Sequence, residues 1–205
     1  MNLRFLGDAF DHWKGSLFEC LTREGSIQDF AVEPMFSDRC LWSEEQLSVF
    51  ARLLRVSPNQ FVSHSHDLAA SRAVYFQELS HTGDLFLDPD TGIATGHVRQ
   101  PAQYVFPTEV RELVAATPGR VIAVYQYVRA CRVRVRIDKI LRAVSQLPVP
   151  QPVSGIHWCS YESSSVAMLF FSSTQQRVQS ITESLSGLLG SRAEGRVRHG
   201  RGAPA

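Results

Sequence analysis

Three aspartates fall within seven positions of one another in the run Gly83-Asp84-Leu85-Phe86-Leu87-Asp88-Pro89-Asp90-Thr91-Gly92. Carboxylates so close together can orient an amine, move a proton or hold a hard cation. If Leu85 to Leu87 is a strand, Asp84 and Asp88 share a face, because side chains alternate with period two. Asp90 then follows the turn at Pro89. A buried strand seldom ends in a carboxylate without a partner, since a buried charge must be paired or hydrogen-bonded. Asp88, Pro89 and Asp90 are therefore expected to form the working loop, with Thr91 and Gly92 beside the substrate. In the plainer alternative, Asp90-Thr91-Gly92 is a turn in which Asp90 bonds neighbouring amides.

Other side chains could join that loop. Tyr125-Gln126-Tyr127 ends the next strand, where Gln126 is expected to bond substrate and the tyrosines to fill core. His81 and His97 flank the loop and could act as bases near neutral pH. His64 and His66, with Asp67 adjacent, form a pair without an evident third metal ligand. Cys20, Cys40, Cys131 and Cys159 are scattered and read as free, mostly buried thiols, so no zinc site is expected. Asp84, Asp88 and Asp90 could instead hold Mg²⁺ for a nuclease or phosphodiesterase. The acidic-x-Lys that usually follows in such nucleases is absent downstream.

The elements that must position these residues are legible in outline. Ser26 to Met35 contains a short strand. Ser43-Glu44-Glu45-Gln46 is a capping box, and Leu47, Phe50, Leu53 and Leu54 continue its apolar stripe to Ser57-Pro58. A strand-like run at Gln60 to Ser63 comes next. Pro107 to Ala116 is a helix opened by proline and stopped by Thr117-Pro118-Gly119. Val121 to Val128 is the strongest strand, and Arg136 to Leu147 an amphipathic helix. Ile156 to Tyr161 and Val166 to Ser172 are spaced as a hairpin, expected at one edge of the sheet. A last helix carries Val178, Ile181, Leu185 and Leu188. The alternation implies an α/β fold, a mostly parallel Rossmann-like sheet with helices on both faces and a C-terminal antiparallel hairpin. Ligands of such sheets sit at the carboxyl ends of the strands where strand order reverses.

Composition sets the frame. The chain has 205 residues, 44% hydrophobic and 20% charged, with a net charge of +1. That is one globular domain, expected over residues 1–189, followed by a basic, disordered tail over 190–205. No apolar run is long enough for a membrane span, and the N-terminus lacks a signal-peptide pattern. A cytoplasmic protein is expected. Arg129, Arg132, Arg134 and Arg136 follow one strand, and Arg192, Arg196, Arg198 and Arg201 lie in the tail. Such clusters could meet the phosphates of nucleic acid.

The strand and loop GDLFLDPDTGIATG resemble the fourth motif of class I S-adenosylmethionine-dependent methyltransferases. More closely, they resemble a bacterial group of methyltransferase-like proteins with an Asp-Pro-Asp-Asn-Gly loop. Gly7-Asp8-Ala9-Phe10-Asp11-His12-Trp13-Lys14 is similar to the opening segment of ribosomal-RNA adenine methyltransferases, which folds over the cofactor. The resemblance implies S-adenosylmethionine as cofactor, near Asp8, Lys14, Glu33 and Pro34, and methylation of a base amino group in nucleic acid. Asp88 and the Pro89 carbonyl would accept from that amine. The chain departs from the family in two places. Val32 to Asp38, where the cofactor loop belongs, has no glycine, and Asp90-Thr91 stands where the family has proline and an aromatic ring. A non-catalytic binding module with a degenerate cofactor site is the third reading.

Overall fold

The structure is a computed structural model that describes residues 3–36, 42–62, 68, 71–79, 83–128, 132–146 and 155–202. His64, His66, Asp67, His81, Cys40, Cys131 and Arg129 lie outside the described residues. A 3₁₀ turn at Leu3–Phe5 leads into helix α1, Ala9–Arg23. Asp8 caps this helix, its side chain accepting from the amides of Phe10 at 2.8 Å and Asp11 at 3.2 Å. Strand β1 is Ala31–Glu33, and α2 is Glu44–Leu54. The capping box forms: Ser43 Oγ accepts from the Gln46 amide, and Gln46 Oε1 from the Ser43 amide. Helix α3 is Arg72–Glu78 and strand β2 is Leu85–Leu87. Two short strands, β3 at Gly92–Ile93 and β4 at Tyr104–Val105, pair with each other beside the main sheet. Then come α4 (Pro107–Ala116), β5 (Ile122–Tyr127), α5 (Val133–Gln146), β6 (His157–Glu162), β7 (Val166–Ser172), α6 (Gln175–Leu189) and β8 (Val197–Arg201).

The main sheet has six strands in the order β1-β2-β5-β7-β6-β8. Its two pairings among β1, β2 and β5 are parallel, and the three beyond β5 are antiparallel. The sheet is therefore mixed, where the sequence implied a mostly parallel one. The physical reason lies in the connections. Helices carry the chain back between the first three strands, whereas β6 and β7 are joined by a tight turn that forces antiparallel pairing. Helices cover both faces, as expected of an α/β sheet. Helices α1, α2 and α6 pack on the face that carries Val32, Phe86 and Ala123. Helices α3, α4 and α5 pack on the face of Leu85, Leu87 and Val124.

The far end of the sheet departs from the sequence expectation. The β6–β7 hairpin is not its edge, because β8 pairs along β6 outside it. The segment expected as a disordered tail thus contains a strand. Arg198 donates to Glu162 at 2.6 Å and Asp138 at 2.7 Å, and the Trp158 indole N–H donates to the Gly202 carbonyl at 2.7 Å. These partners are far away in sequence, so a local reading of composition misses them. Of the strand-like run from Gln60 to Ser63, Gln60 ends a 3₁₀ turn that begins at Pro58 and Phe61 bridges to Val32, while Ser63 lies outside the described residues. Among the described residues no helix is long and apolar enough to cross a membrane.

Candidate functional site

Helix α1 carries charge on its buried face. Asp11 and Lys14 lie on it together with Leu17, Phe18 and Leu21, at the three- and four-residue spacing of one helical stripe. Gly15 brings this face close to α2: a Cβ there would sit 2.0 Å from the Leu53 carbonyl oxygen. That close approach holds Lys14 over the carboxyl ends of β2 and β5. Alternation along β2 turns Phe86 toward α1, and Asp88, two residues on, follows it. One step beyond the Leu87–Val124 register pair, Asp88 comes level with Tyr125.

The three charges meet there. Lys14 Nζ donates to Asp11 Oδ1 at 3.0 Å and to Asp88 Oδ2 at 2.9 Å, and lies 4.3 Å from the centre of the Tyr125 ring. Asp11 Oδ2 accepts from the Gly7 amide at 2.9 Å. All three side chains are at most 4% exposed. Burial by itself would depress the Lys14 ammonium, but the two carboxylates outweigh it and hold it above its ordinary value. Burial raises Asp88, and Lys14 only partly opposes the rise. Burial is the main cause of that rise, and the neighbouring Asp11 carboxylate adds only a minor push in the same direction. Asp88 Oδ1 has no hydrogen-bond partner among the described residues.

A cavity of about 100 Å³ opens against this network. Asp88, Pro89 and Asp90 form one side of it. Asp8, Asp11 and Lys14 form another, and Phe5, Phe10, Tyr125 and Tyr127 supply rings. Phe10 lies 6.3 Å from Tyr125 and 6.1 Å from Tyr127 between ring centres. The structure thus brings together Asp88, Pro89, Asp90, Asp8 and Lys14, five residues that the sequence also singled out. The rings come from the first 3₁₀ turn, α1 and β5 rather than from the loop. The tyrosines that read as core line the cavity, because alternation on β5 turns Tyr125 and Tyr127 toward α1 and Gln126 away.

The remaining residues named from sequence sit elsewhere. Gln126 is fully buried. Its Oε1 accepts from the Ile93 amide at 2.8 Å, and its Nε2 donates to the carbonyls of Thr91 at 2.9 Å and Tyr127 at 2.7 Å. Gln126 is a clamp that fixes the loop to β5. Gly92 adopts φ +111, and a Cβ there would fall 2.3 Å from the Gln126 amide oxygen. Thr91 bonds through its backbone to Gln103 and Tyr127. None of the three lines the cavity. Glu33 points to the opposite face of the sheet from Val32, accepting from the Met35 amide at 2.7 Å and from the Tyr75 hydroxyl. Pro34 is buried beside it and does not line the cavity.

Asp84 lies at the other end of β2. Its carboxylate accepts from the amides of Gln28 and Val121, each at 2.7 Å, and from Arg177. Four strand residues, about 13 Å at the usual rise, separate it from Asp88. The pair therefore cannot share one ion. Among the described residues no three His, Cys, Asp or Glu side chains are placed to hold a metal. The site also does not lie where strand order reverses, since β1, β2 and β5 succeed one another in one direction across the sheet. No family model matches the chain, and no curated protein matches it in sequence. What the fold and site define is an α/β domain with a small, acidic, ring-walled pocket at the carboxyl ends of its parallel strands.

Proposed function

We propose that this chain is an amine-binding module on a methyltransferase-like framework, capturing the amino group of its ligand against Asp88. One observation carries the reading: a buried carboxylate with a spare acceptor oxygen faces a cavity walled by aromatic rings. An amine donates to that oxygen, and the hydrophobic part of the ligand lies on the rings. The methyltransferase-like part is supported by the Asp-Pro loop at the end of a strand flanked by parallel neighbours. An antiparallel hairpin and helix α6 follow the parallel strands, an order in keeping with that resemblance, and β8 is added outside the hairpin.

S-adenosylmethionine does not fit the described residues. Of the four positions implied for it, Asp8 and Lys14 border the cavity, but Lys14 is committed to two carboxylates. Glu33 is committed to Met35 and Tyr75. Met35 and Val32 fill the space at the end of β1, both fully buried. The cavity of about 100 Å³ is also well below the 300 Å³ or more of ordinary cofactor pockets. A binding module with a degenerate cofactor site therefore accounts for these residues better than a methyl-transferring enzyme does. Nucleic acid gains little support at the pocket either. Arg134 donates to the Gly195 carbonyl, Arg136 to the Ile93 carbonyl, and Arg198 to Glu162 and Asp138. Arg134 stays half exposed and Arg132, Arg192, Arg196 and Arg201 lie on the surface, so only Arg136 and Arg198 are largely withdrawn from a phosphate partner.

The test pairs each amine with its hydroxyl or oxo counterpart: benzylamine with benzyl alcohol, cytidine with uridine. Calorimetric titration is expected to separate at least one pair by about tenfold, one charge-assisted hydrogen bond. Asp88→Asn should erase the difference. If no pair separates, the amine reading falls. Titration with S-adenosylmethionine is expected to give no heat, and millimolar or tighter binding would restore the enzyme reading.

A further inference from the structure

Two basic segments that are far apart in the chain share one surface. Arg134 on α5 donates to the Gly195 carbonyl at 2.6 Å, and Arg198 on β8 donates to Asp138 on α5 at 2.7 Å. Residues 132–146 and 190–202 hold nine of the 21 Lys and Arg residues and, with the adjoining Glu162, only three of the 20 acids. This surface therefore carries +6. The other twelve cations and seventeen acids leave −5 on the rest of a chain whose total is +1. Two of the three acids are already engaged: Arg134 and Arg198 hold Glu162, and Arg198 holds Asp138. Arg136 is taken up by Thr95 and the Ile93 carbonyl. Arg132, Lys139, Arg142, Arg192 and Arg196 are exposed, and among the described residues none of them has a hydrogen-bond or ion-pair partner.

The cations are ordered along the helix. Arg132, Val135, Lys139 and Arg142 recur at steps of three, four and three residues, an outward stripe about 15 Å long at the helical rise. That length spans about four phosphates of one strand at roughly 3.4 Å each. Helix α5 has no acid in its first turn. Arg134 and Arg136 stand there instead, against the positive end of the helix dipole, and a phosphate would offset both. We infer that this face of α5 and β8 binds the phosphate backbone of a nucleic-acid duplex. The inference uses none of the pocket residues and stands apart from the amine reading. Guanidinium forks take phosphate oxygens in pairs, and eight of the nine cations are arginine. A single strand needs rings on which its bases stack. The ring beside Arg198, Trp158, is only 4% exposed. An acidic protein or a membrane surface asks for bulky apolar anchors within the contact. The stripe offers only Val135, 58% exposed.

Fluorescently labelled duplexes of DNA and of RNA, about two helical turns long and titrated with the whole chain, test this by anisotropy. Log affinity is expected to fall against log salt with a slope of about −4, close to one for each phosphate neutralised. The tighter of the two duplexes names the nucleic acid. Lys139→Gln and Arg142→Gln should each weaken binding about eightfold at about 0.1 M salt and lower the slope by about one. Arg52→Gln removes the same charge from an exposed position of α2, across the sheet, and should change affinity less than about twofold. All three positions are exposed, so urea midpoints should stay with the wild type. Equal losses from Arg52→Gln and Lys139→Gln would reduce the effect to net charge and overturn the surface. Tighter binding of a single strand would overturn the duplex assignment. So would equal competition from polyglutamate or phosphatidylserine vesicles. No binding at low salt would overturn the inference outright.

Discussion

Asp84 and Asp88 are the same residue type on the same strand and the same face, four positions apart, and they end in opposite situations. Asp84 closes the amino end of β2, accepting from two backbone amides and from Arg177. Asp88 closes the carboxyl end. Among the described residues it accepts from Lys14 alone and keeps one oxygen free beside a cavity. The difference comes from what surrounds each end. At the amino end the loops from Gln28 and Val121 come close enough to supply N–H groups. At the carboxyl end the strands run out under α1, which supplies a single ammonium and a gap. Burial and charge are alike at the two ends; hydrogen-bonding capacity left over is what separates a structural carboxylate from one that can serve a ligand.

The largest effect that would test this contrast is expected from Lys14→Met. It leaves Asp11 and Asp88 buried without a cation, and breaking a buried pair from one side costs about 4 kcal/mol. Urea unfolding at neutral pH should show that loss. Acidification should shrink it, because the cost belongs to ionised carboxylates and protonation removes it. A loss that stays constant down to pH 4 would mean that Lys14 contributes packing rather than charge.

Asp84→Ala is expected to cost about 3 kcal/mol, since two amides and a guanidinium lose their acceptor. It should leave benzylamine binding within about twofold at a site some 13 Å away. If it weakens the ligand as much as Asp88→Asn does, the two ends are not independent and the contrast dissolves.

Gly92→Ala tests how the loop is held, with an expected loss of about 2 kcal/mol. The residue sits at φ +111, and its Cβ would meet the Gln126 amide. Combining it with Gln126→Ala should cost less than the sum of the two single changes, because the clash is counted once. Strict additivity would show that only the backbone conformation matters there.

These residues also mark how far the sequence could be read. The Ser43 capping box, the Pro107 helix start, the β6–β7 hairpin and the Asp88 loop are local signals, and the structure contains each of them. Helix α1 was not legible, because Asp11 and Lys14 interrupt its buried stripe with charges that only Asp88, 74 residues from Lys14, makes tolerable. Strand β8 depends in the same way on Glu162, Asp138 and Trp158. The roles of Gln126 and its flanking tyrosines were exchanged for a simpler reason. Which of three consecutive residues faces the cavity depends on the register of β5 against β2, and composition carries no register. Half of the cavity, Asp88 to Asp90, announced itself through spacing. The ring wall is assembled from the first 3₁₀ turn, α1 and β5 and had no signal within any one segment.

The smallest change in stability, and the sharpest test, is expected from Asp88→Asn. Two contributions oppose each other at neutral pH. The substitution forfeits attraction to Lys14, and it also relieves the cost of burying an ionised carboxylate, so the net should stay below about 1 kcal/mol. The pH dependence then separates Asp88 from an ordinary paired aspartate. Burial raises the Asp88 carboxyl above 3.8 in the folded protein. A group held in that direction adds stability that is complete below its unfolded value and is lost as pH rises through the folded one. Lowering the pH from 7 toward 4 should therefore stabilise the wild type relative to Asp88→Asn, read as a growing difference in urea midpoint. A bound amine in its protonated form would reverse that trend, because it favours the ionised carboxylate, and saturating benzylamine should flatten the difference. If the wild type instead loses ground on acidification without ligand, Asp88 is a fully satisfied ion pair. It would then be no more open to a ligand than Asp84.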